Sequence, residues 1–210
     1  SINNDDRIRR HVAEVANIIE QARLKPSKPV PQYNAKKQLV LVVDGGHLKS
    51  KDQDLRSFEA MIATVFCPEN TRQIDKNHTE ITKKTSVASA LDDKQKTIKR
   101  LLLNACHKEG MNAEVTELTC LTDGASNCWS LTNVLQGHCK TLTNILDWFH
   151  ITKRFTVINN SVDIVLKEKL EKVKWFVWHG KSQEALKRLE KIRNEIANEG
   201  LQIHLKDLYQ

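Results

Sequence analysis

No apolar run in the sequence approaches the ~20 residues that a membrane-crossing helix needs. The opening stretch, SINNDDRIRRHVAE, is polar and charged and does not read as a secretory signal. The chain starts on Ser instead of Met and reads as a fragment. CxxC pairs are absent, and the cysteines are odd in number: Cys67, Cys106, Cys120, Cys128 and Cys139. This count and spacing argue against a disulfide framework and for free thiols in a reducing cytosol. Internal repeats and low-complexity tracts are also missing, which sets aside repeat architectures.

What is present is a soluble globular composition. The 210 residues are 40% hydrophobic and 28% charged, enough for one large domain or a domain with an appendage. The formal net charge is +7 and the pI about 9.1. Such an excess suits a polyanionic partner such as nucleic acid, and it equally suits a merely basic soluble protein.

Residues 5–24 read as a helix, with Ile8, Val12, Val15 and Ile19 at helical spacing. Pro26, Pro29 and Pro31 then mark an extended linker. KKQLVLVVD predicts a strand buried on both faces and ending on Asp44. RSFEAMIATVF, residues 56–66, predicts a second strand with Phe58, Ala60, Ile62 and Phe66 on one side. The short polar gap between the two predicts a hairpin. Residues 70–90 are ambiguous and allow a third, exposed strand. A helix follows over 91–110, with Leu91, Ile98, Leu102 and Ala105 on its face and Gly110 closing it. LTCLTDGA reads as a short strand, and NCWSLTNVLQGHC as a helix with Leu131, Val134, Leu135 and His138 on one side. LTNILDWFH reads as an apolar strand. From Asn159 the pattern turns helical, first with Val162, Val165, Leu166, Leu170 and Val173, then with Leu186, Leu189, Ile192 and Ile196.

A hairpin followed by alternating helices and strands predicts an α/β fold with a ribonuclease H-like core: a mixed sheet that begins with antiparallel strands. The expected divisions are 1–36, an N-terminal helix and linker; 37–158, the core; and 159–210, an α-helical insertion.

Asp44 and Asp123 each end a predicted strand, and in such a core those strands are neighbours. Two carboxylates that close repel each other unless a cation lies between them. Mg²⁺ takes carboxylate oxygens and leaves places for water or phosphate oxygens. Two such ions activate an attacking oxygen and stabilise a leaving one in phosphodiester chemistry. The plainer reading is that "DG" is a common turn dipeptide. Asp147 and His150 form a DxxH, in which carboxylate and imidazole can orient each other. The plainer reading there is a helix cap and a packed histidine. Cys120, Cys128, His138 and Cys139 match no familiar zinc spacing and read as buried thiols and a histidine. Trp175 and Trp178, in WFVWHG, have rings able to stack on bases, but their spacing favours helix-to-helix packing.

Taken in order, VVDGGHLKS…RSFEAMIATVF, CLTDGASNCWS and HCKTLTNILDWFHITKRF resemble bacterial insertion-sequence transposases of the DDE type. The DxxH is similar to the C/DxxH signature of Mutator-like and hAT-like transposases. WHG…AL..L resembles the start of the helical insertion those enzymes carry. The resemblance implies a mobile-element enzyme of DNA transposition and recombination. It implies two Mg²⁺ or Mn²⁺ ions, nicking at transposon ends, and attack of the freed 3′-hydroxyl on target DNA. It assigns Asp44 and Asp123 as catalytic metal ligands and Asp147 and His150 as the accessory pair. It further implies a cytoplasmic bacterial protein, nucleoid-associated when bound to DNA, with no membrane partner and with homo-oligomers open.

The family's third acidic residue is a glutamate on a helix after the insertion. The chain stops at LKDLYQ, and Glu184, Glu190, Glu195 and Glu199 sit on an ordinary amphipathic helix, so the third ligand is unknown. The expectation is therefore a truncated, inactive copy. One alternative is a noncatalytic DNA-binding remnant. Another reads DGG as the phosphate loop of an actin-like phosphotransferase, with TDGAS as a thin match to the second loop such enzymes need.

Overall fold

The computed structural model describes residues 4–51, 57–76, 78–160 and 162–195. The chain divides into two compact units, Ser1–Ile145 and Leu146–Gln210.

The first unit is built on a five-stranded sheet. Its strands are β1 (Gln38–Lys49), β2 (Ser57–Phe66), β5 (Thr85–Ser89), β6 (Glu117–Thr122) and β7 (Thr141–Leu146), in the order β5-β2-β1-β6-β7. β1 pairs antiparallel with β2, and β2 antiparallel with β5. β1 pairs parallel with β6. The sheet is thus mixed and starts from a hairpin, as the sequence predicts. An exposed two-stranded ribbon, β3 (Thr71–Asp75) and β4 (His78–Ile81), fills the connection from β2 to β5. Three short strands therefore occupy the region where the sequence allows one.

Two helices cover one face of this sheet. Helix α2 (Lys96–Lys108) presents Ile98, Leu101, Leu102, Ala105 and Cys106, all buried. Helix α3 (Ser126–Thr132) adds Cys128 and Leu131, and a 3₁₀ turn adds Leu135. They enclose Leu39, Leu41, Val43, Met61, Ala63, Val65, Leu118 and Cys120. This is the main core, and its burial supplies most of the unit's driving force. All five cysteines are buried and unpaired.

The covered face is single, which corrects two strand expectations. β1 alternates instead of being buried on both sides: Val42 is 41% exposed between Leu41 and Val43. In β2 the buried set is Met61, Ala63 and Val65, while Ile62 is 51% exposed. Both faces of that strand are apolar, so period two alone does not say which one meets the helices.

Other boundaries shift as well. Leu91 lies outside α2 and is exposed. The α3 region ends in a turn before His138, which is exposed. Gly110 does close α2, with φ +102°, and a Cβ there would lie 2.9 Å from Lys36 Cγ.

Helix α1 (Asn4–Leu24) leads into the proline segment. Its end is fastened to α2 by Asn104, whose amide donates to the carbonyls of Arg23 (2.7 Å) and Lys25 (2.9 Å). Ile8, Val12, Val15 and Ile19 do share a helical face, but they are exposed.

The second unit is a helical cluster of α4 (Trp148–Asn159), α5 (Ile164–Trp178) and α6 (Ser182–Glu195). Its core is Phe155, Ile158, Leu170, Val173, Ala185, Leu189 and Ile192. The predicted strand LTNILDWFH ends at Leu146, and Trp148, Phe149 and His150 are helical. Asp147 causes the switch, because its side chain caps the new helix. Ile196 and Glu199 lie outside the described residues. No helix among the described residues is long and apolar enough to cross a membrane.

Candidate functional site

Asp44 does not end its strand. β1 runs on to Lys49, and Asp44 is paired with Ile62 of β2. What ends near Asp44 is the parallel partner. The β1–β6 pairing runs from Gln38–Glu117 to Val42–Leu121. Continued two residues beyond that pairing, the register leads to Asp44 within β1 and to Asp123 just past the end of β6. The sequence expectation that their strands are neighbours is met.

Local hydrogen bonds orient each carboxylate. Asp44 Oδ1 accepts from the Gly45 amide at 2.8 Å. Asp123 Oδ1 accepts from the Ala125 amide at 2.9 Å. Gly124 has φ +87°, and its amide donates to Thr122 Oγ1 at 3.2 Å. The turn reading of "DG" therefore holds at Asp123, which sits in a tight Asx turn. It fails at Asp44, where DGG continues the strand.

The helix that follows this turn brings a thiol to the carboxylates. Cys128 is fully buried, and burial first pushes its thiol pKa up, to about 12. A hydrogen bond to Asp123 and the negative charges of Asp123, Asp44 and Glu59 push in the same direction. The thiol stays protonated and is inert as a nucleophile. The negative charges of Asp123, Asp44 and Glu59 all act on it.

Glu59 is the residue that sequence reasoning misses. It lies on β2 opposite His47, and Asn127 Nδ2 donates to its Oε1. Asn127 also reaches Met61 Sδ at 3.6 Å, and its Oδ1 accepts from the Cys128 amide at 2.8 Å. Gln95 Nε2 donates to the Asn127 carbonyl at 3.0 Å. Asn127 thus ties the start of α3 to β2 and to the approach of α2. Gly45 makes room for this: a Cβ there would meet Met61 Sδ at 3.0 Å and Asn127 Nδ2 at 3.4 Å. The available signal was the one acidic residue on the partner strand of DGG, but only the hairpin register gives it meaning.

The donor set consists of carboxylate oxygens, which suits a hard divalent ion in kind. In number it is short: among the described residues, no three His, Cys, Asp or Glu side chains form a group able to hold a metal. A cavity lined by Asn133, Gln136, Cys139, Lys140 and Asn144 contains none of these carboxylates.

No family model, curated protein or solved structure matches the chain. The site therefore rests on its own geometry.

The DxxH belongs to the second unit. Asp147 Oδ1 accepts from the Phe149 amide at 3.0 Å, and Asp147 Oδ2 lies 3.0 Å from His150 Nδ1. One carboxylate both caps α4 and orients the imidazole, so the cap reading and the mutual-orientation reading describe the same contact. Both side chains are about one-third exposed. Cys120, Cys128, Cys139 and His138 gather no metal-binding group among the described residues.

Proposed function

We propose that the chain carries the ribonuclease H-like core of a DDE-type transposase, a bacterial mobile-element enzyme acting on DNA. The observation that carries this reading is the parallel pairing of β1 with β6, whose register leads to Asp44 and, just past β6, to Asp123. The strand order supports it. Numbered within the sheet, the strands run 3-2-1-4-5, with the first three antiparallel and helices following the third and fourth.

A pair of Mg²⁺ or Mn²⁺ ions, when bound, would activate the attacking oxygen and stabilise the leaving one. Asp44 and Asp123 would hold them. The Gly45 and Ala125 amides fix the carboxylate orientations. Asp147 accepts the Nδ1–H of His150, and in the imidazolium form Nε2–H would donate to a DNA phosphate.

Thermal unfolding tests the reading. Millimolar Mg²⁺ or Mn²⁺ is expected to raise the midpoint of the full chain. The double variant Asp44→Asn, Asp123→Asn is expected to lose that increment and to be no less stable in EDTA, because a repulsion has gone. An increment that survives the double substitution would overturn the assignment.

A second reading, a noncatalytic DNA-binding remnant, is supported by the net charge of +7. It predicts salt-dependent DNA binding with no cleavage in any divalent ion.

A further inference from the structure

The helical unit carries an aromatic surface that its packing does not use. The inner face of α5 is Leu170 and Val173, which enter the core with residues of α4 and α6. Trp175 and Trp178 are left half outside, at 50% and 54% exposed. The expectation that they serve helix-to-helix packing is therefore met only in part. The Trp178 ring lies 4.8 Å from that of Trp148, and the Trp175 ring 6.5 Å from that of Trp178. His179 extends the series, 6.5 Å from Trp175. Three indoles and an imidazole thus form a chain of ring contacts from the start of α4 to the end of α5, with the Trp175 and Trp178 rings edge to face.

One lysine stands beside it: Lys174 Nζ lies 5.6 Å from the Trp175 ring centre and is ion-paired with Glu171. Lys181 and Arg188 lie over Phe176, 6.0 Å and 4.6 Å from its centre, and Phe176 packs against the helical core. Over residues 146–195 the sequence has eleven lysines and arginines against seven aspartates and glutamates. A partner must therefore offer flat apolar faces and negative charge together. Unpaired nucleobases on a phosphate backbone do so. A duplex hides its base faces within the stack and offers only the charge.

We propose that the exposed rings of Trp175 and Trp178, backed by Trp148, stack on unpaired bases of a single DNA strand whose phosphates are attracted by the net positive charge of the helical unit. The proposal rests on the reading of the chain as a DNA-processing protein, but not on Asp44 or Asp123.

The test is anisotropy of a labelled 15-nucleotide oligothymidylate, and of a 15-base-pair duplex, titrated with the full chain. Trp175→Ala and Trp178→Ala are each expected to weaken oligothymidylate binding about tenfold, the scale of one lost base stack. Trp175→Phe and Trp178→Phe are expected to keep most of the affinity, because a ring remains. Duplex affinity is expected to stay within about twofold of the unmutated chain. Circular dichroism checks that the variants keep their helices. Alanine variants that bind the oligomer like the unmutated chain would overturn the platform. So would phenylalanine variants no better than alanine, or an equal loss on duplex. An unmutated chain that binds duplex but not the oligomer overturns the platform alone. One that binds neither overturns the DNA reading as well.

Discussion

His107 shows how one side chain couples the proline segment to the core. It is buried, with its Nδ1 2.8 Å from Ser27 Oγ and its ring 6.3 Å from that of His138. Burial lowers its pKa below the ordinary histidine value, and the positive charge His138 can carry lowers it further, against a hydrogen bond with Ser27 that raises it. The fold therefore holds His107 neutral, and the unfolded chain binds the proton more readily. Its contribution is complete above about pH 6.5 and is lost as pH falls through that range towards the lowered folded value. Urea midpoints at pH 7.5 and pH 5.0 are expected to differ less in His107→Gln than in the unmutated chain. An unchanged difference would show that the pH response comes from other groups. At the same scale, Asp44 and Asp123 were legible as carboxylates at neighbouring strands, although Asp44 lies within β1 and not at its end, whereas Glu59 was not. Its relation to them depends on hairpin pairing and on Asn127, neither of which leaves a spacing signal.

Among the elements, α1 is held differently from the rest. Leu24 packs against the main core, and beyond it the helix relies on hydrogen bonds from Asn104. Asn104 Oδ1 also accepts from the Ser27 amide at 3.0 Å. Asn104→Ala is expected to cost about 1–3 kcal/mol, because two carbonyls lose their donor. Hydrogen exchange is expected to quicken across residues 22–30 and to stay slow in β1 and β6. Uniform quickening would show that Asn104 instead supports the whole unit. Helix α1 itself was readable from its 3–4 spacing, and so were α5 and α6. The strand faces were not. β1 and β2 are apolar on both sides, and burial was decided by which side α2 and α3 cover. The strand expectation ran on past β7 into α4, because ILDWFH is apolar apart from Asp147 and His150, while the cap reading of Asp147 marked the break.

At the scale of the whole molecule, two cores coexist. Leu41, Leu102 and Leu118 belong to one, and Leu170, Val173 and Leu189 to the other. Leu170→Ala is expected to cost the helical unit about 2–5 kcal/mol by removing a fully buried side chain. Exchange is expected to quicken through α4–α6 while the sheet amides keep their protection. Simultaneous loss of protection in the sheet would mean that the two cores unfold as one. The sequence reading divides the chain after residues 36 and 158, while the compact units meet at Leu146. A linker rich in proline and a change of periodicity are visible in sequence, but the contacts that bind a linker to a core are not.

By itself the sequence determined the element types, the hairpin start, the free thiols and the two aspartates worth pairing. Periodicity, turn residues and cysteine spacing are local, so the residues that carry them can be read one stretch at a time. Only the tertiary structure decided that β1 and β6 pair in the register that leads to Asp44 and Asp123, that Asn127 reaches Glu59, and that two indoles of α5 face outward. Those relations join residues tens of positions apart, and they follow from how strands pair and which faces the helices cover.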